Sequence, residues 1–481
     1  MPGVNLILES ESAPASSPTD TGKLFVAGAT ERGSITEPTT VHSPQEFKKR
    51  CGLPVAGSYL AVAAEEFFKE GGSTLLVGRA LGSGATTAST NLLGSAAGAS
   101  LVVKAPSPGE YGNKLETKVT AGEGSTFNVL IEEGGVLVEQ YSNLPNREAA
   151  VSANEQRVAA GTNPAVIISL GTEVDNPVVA SAQKLAGGTN GPALKNADYI
   201  NALGLFHHDL GMGQVAVPGI TAQPVQEALL AHGEAQNRTP YVDFPVQEPG
   251  ESLTLYKGVL ESARTALKGL SGARRGAGFS SWVRIPGQAP NTTVLCPYSV
   301  VQAGINARND ATATPPPVNR ASAGEEGITR NVSSLVSVFS RTERDALNEA
   351  GITPVRQMPD GTIETYGVKT FANPETDPAW QQITASRLFM LVIGEGQELL
   401  EKAVLKEIDP HGLLFGKVGA DLQNFLESLG NQLYNNPAEA VNVGPSVNTK
   451  ETIAKNEVVA DVKVKPTKAA EVVTLRLSAQ A

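Results

Sequence analysis

Cysteine is almost missing from this chain: Cys51 and Cys296 are the two among 481 residues. Two thiols cannot staple a scaffold, and the expected state is a pair of buried, reduced side chains. Histidine is nearly as scarce, with five in the chain, which leaves little material for a metal centre. The pair His207-His208 is the best metal candidate, yet adjacent residues on a strand point to opposite faces. Cations are outnumbered, 38 Lys and Arg against 49 Asp and Glu, for a net charge of −11. That balance argues against a protein built to hold nucleic acid or an anionic membrane. Long apolar runs are missing as well. The longest, near Leu388–Ile393, is about a third of the roughly 20 residues a membrane span needs. The start, Met1-Pro2-Gly3-Val4, lacks the basic and apolar stretches of a secretory signal. A soluble protein made in the cytoplasm is expected, with no membrane insertion of its own.

The common catalytic motifs are missing too. No His-Glu-x-x-His, Cys-x-x-Cys or Gly-x-Ser-x-Gly element occurs. Gly412 to Lys417 is one residue short of a phosphate loop, and Val418 stands where that loop needs a hydroxyl. Asp243 follows Val242 at a strand end, where an α/β enzyme can carry an acid. With His207 it forms the best site for a monomeric α/β enzyme reading. No cofactor and no metal are expected.

What the chain has in quantity is Gly (49) and Pro (31), the residues of turns and strand ends. Residues 1–21 read as an N-terminal arm. Val4, Leu6 and Leu8 alternate with Asn5, Ile7 and Glu9, Ile7 being the apolar exception, and a Pro- and Ser-rich tether follows. A lone strand cannot satisfy its own backbone groups and needs a sheet edge. Residues 22–85 read as the first part of an α/β core. Ser43-Pro44-Gln45-Glu46 predicts a capping box. Leu60, Ala63, Ala64, Phe67 and Phe68 then line one helix face. Residues 86–186 read as an inserted small all-β module, with alternation at Leu115, Thr117, Val119, at Phe127, Val129, Ile131, and at Val136 and Val138. Residues 187–360 return to α/β alternation and share a sheet with the first part. Residues 361–481 form a C-terminal α/β domain, with a helix predicted over 417–434. It ends in a strand arm at 458–481, where Val462, Val464, Val473, Leu475 and Leu477 alternate with polar residues.

Several segments together resemble one family, the sheath proteins of contractile phage tails and related injection machines. Tyr59 to Phe68, Gly71-Gly72-Ser73 and Leu75–Val77 resemble its helix, double glycine and strand. Ser107 to Asn113 is similar to its "PG-x-aromatic-GN" turn, and Glu139 to Leu144 to the strand that closes the module. Leu185 to Gly191 resembles "L-x-GG-x-DG", with Asn190 for Asp. Val300 to Asp310 resembles "PS-G-VAG-x-YAR-D", with Asn306 in place of an aromatic. Leu347-Asn348 with Gly351-Ile352, Tyr366 to Thr370, and Arg387-Leu388 follow in the family's order.

The resemblance implies a structural subunit and not an enzyme. It would polymerise with itself into stacked helical rings around an inner tail tube, and contract to drive that tube through a host envelope. Its partners would be the tube, baseplate and tail terminator proteins. It would reside in the virion after assembly in the host cytoplasm. The terminal arms, with Val4, Leu6, Leu8, Val462, Val464, Val473, Leu475 and Leu477, would join neighbouring subunits by β-augmentation. The C-terminal domain would lie next to the tube, with Lys402, Lys406 and Lys417 as candidate contacts. The module would protrude outward. A bacteriocin or bacterial injection system would use the same part.

Overall fold

Alternation along the strand Leu24–Ala29 sets the architecture of the core. Leu24 and Val26 face one hydrophobic cluster, Phe25 and Ala27 another, as the two-residue period of a strand requires. The computed structural model in which this is seen describes residues 21–287, 289–409 and 412–471, together with the backbone of Leu6–Ile7 and Ser12–Ala13. A strand buried on both faces needs a layer on each side. This one lies inside a six-stranded sheet with the order Ala277–Gly278, Arg238–Val242, Gly213–Ala216, Leu24–Ala29, Leu75–Ala80, Thr39–Val41. Neighbours run parallel as far as Leu75–Ala80, and Thr39–Val41 closes the edge antiparallel. The two α/β stretches therefore share one sheet, as their patterning predicts.

Helices Pro44–Cys51, Leu60–Glu70 and Tyr298–Asp310 cover one face, and Asn196–Gly204, Gln223–Ala235 and Leu253–Ala266 the other. The first of these begins as its sequence predicts, with Ser43 Oγ accepting the Glu46 N–H at 3.1 Å. The Glu46 carboxylate turns back to the His42 N–H at 2.9 Å, one residue before the expected partner. Gly304 lets Tyr298–Asp310 lie directly on Leu60–Glu70. A Cβ there would stand 2.5 Å from Glu70 Cβ and 2.9 Å from the Phe67 carbonyl oxygen. Asn306, where the resemblance leads one to expect an aromatic, joins a buried polar network, donating to Gln214 Oε1 at 2.8 Å and the Tyr241 hydroxyl at 2.6 Å.

The same helix pair encloses two carboxylates. Glu70 meets Arg308 at 3.1 Å and accepts the N–H groups of Arg330 and Asn331 at 2.7 and 3.0 Å. Glu66 accepts from Asn331 Nδ2 at 2.6 Å. Burial, opposed by that hydrogen bond and reinforced by the charge of Glu70, pushes Glu66 up from 4.5 to about 7. A carboxyl raised in this way contributes stability that is complete below its unfolded value and is lost as pH rises through 7. Glu66→Gln is expected to exceed the wild type by about 3 kcal/mol at pH ~8 and to match it near pH ~4. Denaturant unfolding at the two pH values reads this directly.

Residues 89–184 build two antiparallel sheets. One has the order Val136–Leu144, Phe127–Glu133, Leu115–Ala121, Ala180–Lys184. The other runs Ile167–Leu170, Ala99–Lys104, Ser89–Leu93. The alternating Leu115, Thr117, Val119 and Phe127, Val129, Ile131 face inward. Val136 and Val138 instead face out, 66% and 46% exposed. This region also holds a helix, Arg147–Ala159, that its sequence pattern did not announce. Its inward side is mostly alanine, with Val151 and the buried Asn154, and Asn154 bonds Tyr141, Val166 and Ile168 across the core.

A buried arginine helps fasten this region to the core sheet. Arg79, at 4% exposure, donates to the carbonyls of Thr30, Glu31 and Gly33 on the core side, at 3.2, 2.9 and 3.0 Å. On the other side it reaches Pro108 O at 2.7 Å and Ser107 Oγ at 3.3 Å. Arg79→Ala is expected to cost about 3 kcal/mol and to speed proteolysis of the two connections near 82–88 and 186–192. Arg79→Lys should not rescue it, because a point-like ammonium cannot span both sides.

The C-terminal region packs on the core through helix Ile383–Glu401. Its first half is buried, and Asn237 Nδ2 reaches Met390 O at 2.9 Å while Ser386 Oγ reaches Arg275 O at 3.1 Å. The second helix runs over Leu413–Ser428, shorter at its end than the predicted 417–434. Leu429 and Leu433 follow it and are still buried. Among the described residues, no helix is long and apolar enough to cross a membrane.

Candidate assembly site at the roots of the terminal segments

The residues read as arm strands fall into two groups. Val4, Leu8, Val473, Leu475 and Leu477 lie outside the described residues. Leu6 is not on a lone strand: Leu6–Ile7 pairs antiparallel with Ser12–Ala13, Leu6 opposite Ala13. Part of the stretch read as a tether is therefore its partner.

Val462 and Val464 lie on their own chain. Asp461–Val462 pairs antiparallel with Val441–Asn442. The Lys463 N–H reaches Ala440 O at 2.8 Å, and the Thr467 N–H reaches Gln432 O at 3.1 Å. Both valines pack on the cluster around Leu426, Leu429 and Ala440. The alternation at 462–465 thus marks a half-buried strand of the domain's own sheet. A period of two reports the strand but not whose sheet receives it.

Beyond Thr467 the chain is held again. Gln382, the N-cap residue of Ile383–Glu401, accepts the Ala469 N–H at 3.0 Å and donates to Ala469 O at 3.1 Å. Glu471 takes Gln382 Nε2 at 2.9 Å, Lys369 Nζ at 3.0 Å and Asn348 Nδ2 at 3.3 Å. Burial works to raise the Glu471 pKa, but these donors outweigh it and hold the carboxyl below its usual value.

The other root is as firm. The Thr21 hydroxyl donates to Asp310 Oδ2 at 2.6 Å. Asp310 ends helix Tyr298–Asp310 and forms an ion pair with Arg387, their side chains 6% and 2% exposed. Beside it opens a cleft of about 400 Å³ lined by Thr21, Ala307, Asp310, Pro315, Glu395 and Phe425.

Asn348, Asp310, Lys369 and Arg387 all belong to the segments that resemble the sheath pattern, yet none stands out as a site residue in the sequence. The available signal was Arg387, a cation set directly before the apolar run Leu388–Ile393. A charge buried there must have a partner.

The three candidate tube-facing lysines are on the surface. Lys402 pairs with Glu398 at 3.6 Å and Lys417 with Asp421 at 2.8 Å, both one helical turn apart. Lys406 is exposed in the connection that follows Ile383–Glu401.

The enzyme candidates do not come together as a site. Asp243 Oδ1 accepts the Ser299 N–H at 3.3 Å, and its Oδ2 accepts the Gly219 N–H at 3.0 Å and the Ser299 hydroxyl at 2.9 Å. Burial against these donors pushes it up to about 6. It ties a strand end to the start of Tyr298–Asp310. His207 presents its carbonyl to Arg238 at 2.8 Å, and Arg238 also takes Phe206 O and Gly211 O. The turn at 206–211 is organised around that guanidinium. Among the described residues no cluster of His, Cys, Asp or Glu is arranged to hold a metal.

The chain has the fold of contractile sheath proteins. It is similar to the sheath tail protein of Listeria innocua, with TM-score 0.62 and 14% identity over 95% of this chain and 94% of that one. The sheath tail protein of Desulfitobacterium hafniense gives TM-score 0.56 and 14% identity over 92% and 94%. The contracted sheath of an extracellular contractile injection system, PVC, gives 0.57 and 14% over 99% and 97%. No protein-family model and no curated protein matches the sequence.

Proposed function

We propose that this chain is a structural, non-enzymatic subunit of a contractile sheath. It polymerises helically around an inner tube and shortens to drive the tube through a host envelope, here for genome ejection from a phage tail. The observation that carries this reading is the likeness of nearly the whole chain to sheath subunits, the contracted PVC sheath among them. Its partners are further copies of itself, the tube, the baseplate and the tail terminator. No cofactor takes part. The region 86–186 faces outward in this scheme, as a protruding insertion tolerant of change.

Contraction needs no bond chemistry in this scheme. Head-to-tail contacts that do not close make a helical filament. An extended sheath is then a trapped state, released when its weaker inter-subunit contacts rearrange. The same part would serve a bacterial injection system, a reading favoured by the likeness to the PVC and anti-feeding prophage sheaths. Capsid and terminase genes beside this one would decide for the phage.

Sedimentation and negative-stain microscopy of the purified full chain, alone and with its tube protein, test the proposal. Wide hollow polymers are expected; a chain that stays monomeric under both conditions overturns it. Replacing Lys402, Lys406 and Lys417 with Glu is expected to abolish assembly on the tube, and normal extended tails would remove these lysines from the tube contact.

A further inference from the structure

The two terminal segments belong to opposite ends of the sequence, yet their roots meet on one helix. Gln382 is the N-cap residue of Ile383–Glu401, and its side chain holds Ala469 and Glu471. Five residues on, Arg387 holds Asp310, and the same Asp310 Oδ2 accepts the Thr21 hydroxyl. Five residues of α-helix span about 7.5 Å. The stretch between is buried: Ile383, Thr384, Ala385 and Ser386 are 5%, 3%, 5% and 0% exposed. Ser386 is also bonded to the core at Arg275 O. The backbone before the helix is fixed too, since the Ile383 N–H donates to Val368 O at 2.7 Å next to Lys369, whose ammonium holds Glu471.

A turn packed this closely cannot yield at one end and keep its contacts at the other. Close-packed interiors move between discrete arrangements and do not deform smoothly. We propose that the first turns of helix Ile383–Glu401 couple the two roots, so that loosening one weakens the hold on the other. Gln382 and Arg387 are then positioning residues for the two roots. The purpose of the coupling rests on the sheath reading given above, while its geometry does not. In a sheath, tension on one arm would reach the other through a single helix, and neighbouring subunits would rearrange in succession instead of independently.

Hydrogen exchange on the full-length monomeric chain tests the coupling. Thr21→Val removes the hydroxyl without burying a new charge. It is expected to raise exchange at the amides of residues 467–471 about fivefold. Glu471→Gln combined with Lys369→Met is expected to raise exchange at residues 22–24 by the same factor, because a coupling free energy acts equally in both directions. Thr21→Ser keeps the hydroxyl and should leave both regions at wild-type rates. Loosening confined to the altered root in each variant, with the distant root unchanged, overturns the coupling. Polymer formation by the same proteins separates the two ideas. Polymers with uncoupled roots sink the coupling alone, and coupled roots in a chain that never polymerises sink the sheath reading alone.

Discussion

A chain that ends at Glu471 is expected to fold like the full protein and to lose polymerisation, while a chain that ends at Glu457 is expected to lose stability as well. The difference follows from where the last strand lies. Val458, Ala460, Val462 and Val464 are partly buried against the C-terminal domain's own clusters. At about 1 kcal/mol for each partly covered side chain, removing them costs about 4 kcal/mol. Polar groups are orphaned too. Asn448 bonds both the N–H and the carbonyl of Val459, each at 2.7 Å, and Asn319 Nδ2 reaches Thr467 O at 2.8 Å. The shorter cut leaves all of these in place and removes Val473, Leu475 and Leu477. Unfolding midpoints and sedimentation of the two truncations, each with and without residues 1–20, separate folding from assembly. Polymers formed by the chain ending at Glu471 would take the assembly role away from the C-terminal segment.

Asp310→Ala is expected to destabilise the protein by about 3–5 kcal/mol, because it leaves the buried Arg387 guanidinium without its counter-charge. Removing both charges, as Asp310→Leu with Arg387→Met, is expected to recover most of that loss, since the pair's own attraction is largely offset by desolvation. The contrast is with Arg341 and Asp345, 4.0 Å apart with side chains 90% and 64% exposed. Breaking an exposed pair of that kind changes stability by well under about 1 kcal/mol. Denaturant midpoints at one pH and one salt concentration compare the three. A loss from Asp310→Ala as small as that from Asp345→Ala would show that the pair does not hold the core, the C-terminal domain and the Thr21 root together.

Much of the scaffold is legible in the sequence because burial writes a period into it. Leu24-Phe25-Val26-Ala27 feeds two cores and is apolar throughout. Leu115, Thr117 and Val119 feed one core and alternate. Helix Arg147–Ala159 escaped because alanine makes a face too faint to read, and its main core contact is an asparagine. The expected arm at Val462 and Val464 shows the complementary limit: the strand was readable, its partner was not. The roots were hidden for a different reason. Asn348, Lys369, Gln382 and Glu471 are unremarkable polar residues until the fold brings the first three within 3.3 Å of the Glu471 carboxylate. Such a site is a product of tertiary structure, and only a buried charge such as Arg387 hints at it beforehand.

An electron cryo-microscopy map of polymers formed by the full chain tests the central claim most directly, by showing which subunit receives residues 473–477. The expected result is unbroken density from Glu471 of one subunit to an added strand on the C-terminal domain of a neighbour, with the Leu6–Ile7 segment of another copy in the same small sheet. Residues 472–481 folded onto their own subunit, in a polymer held together without them, would contradict it.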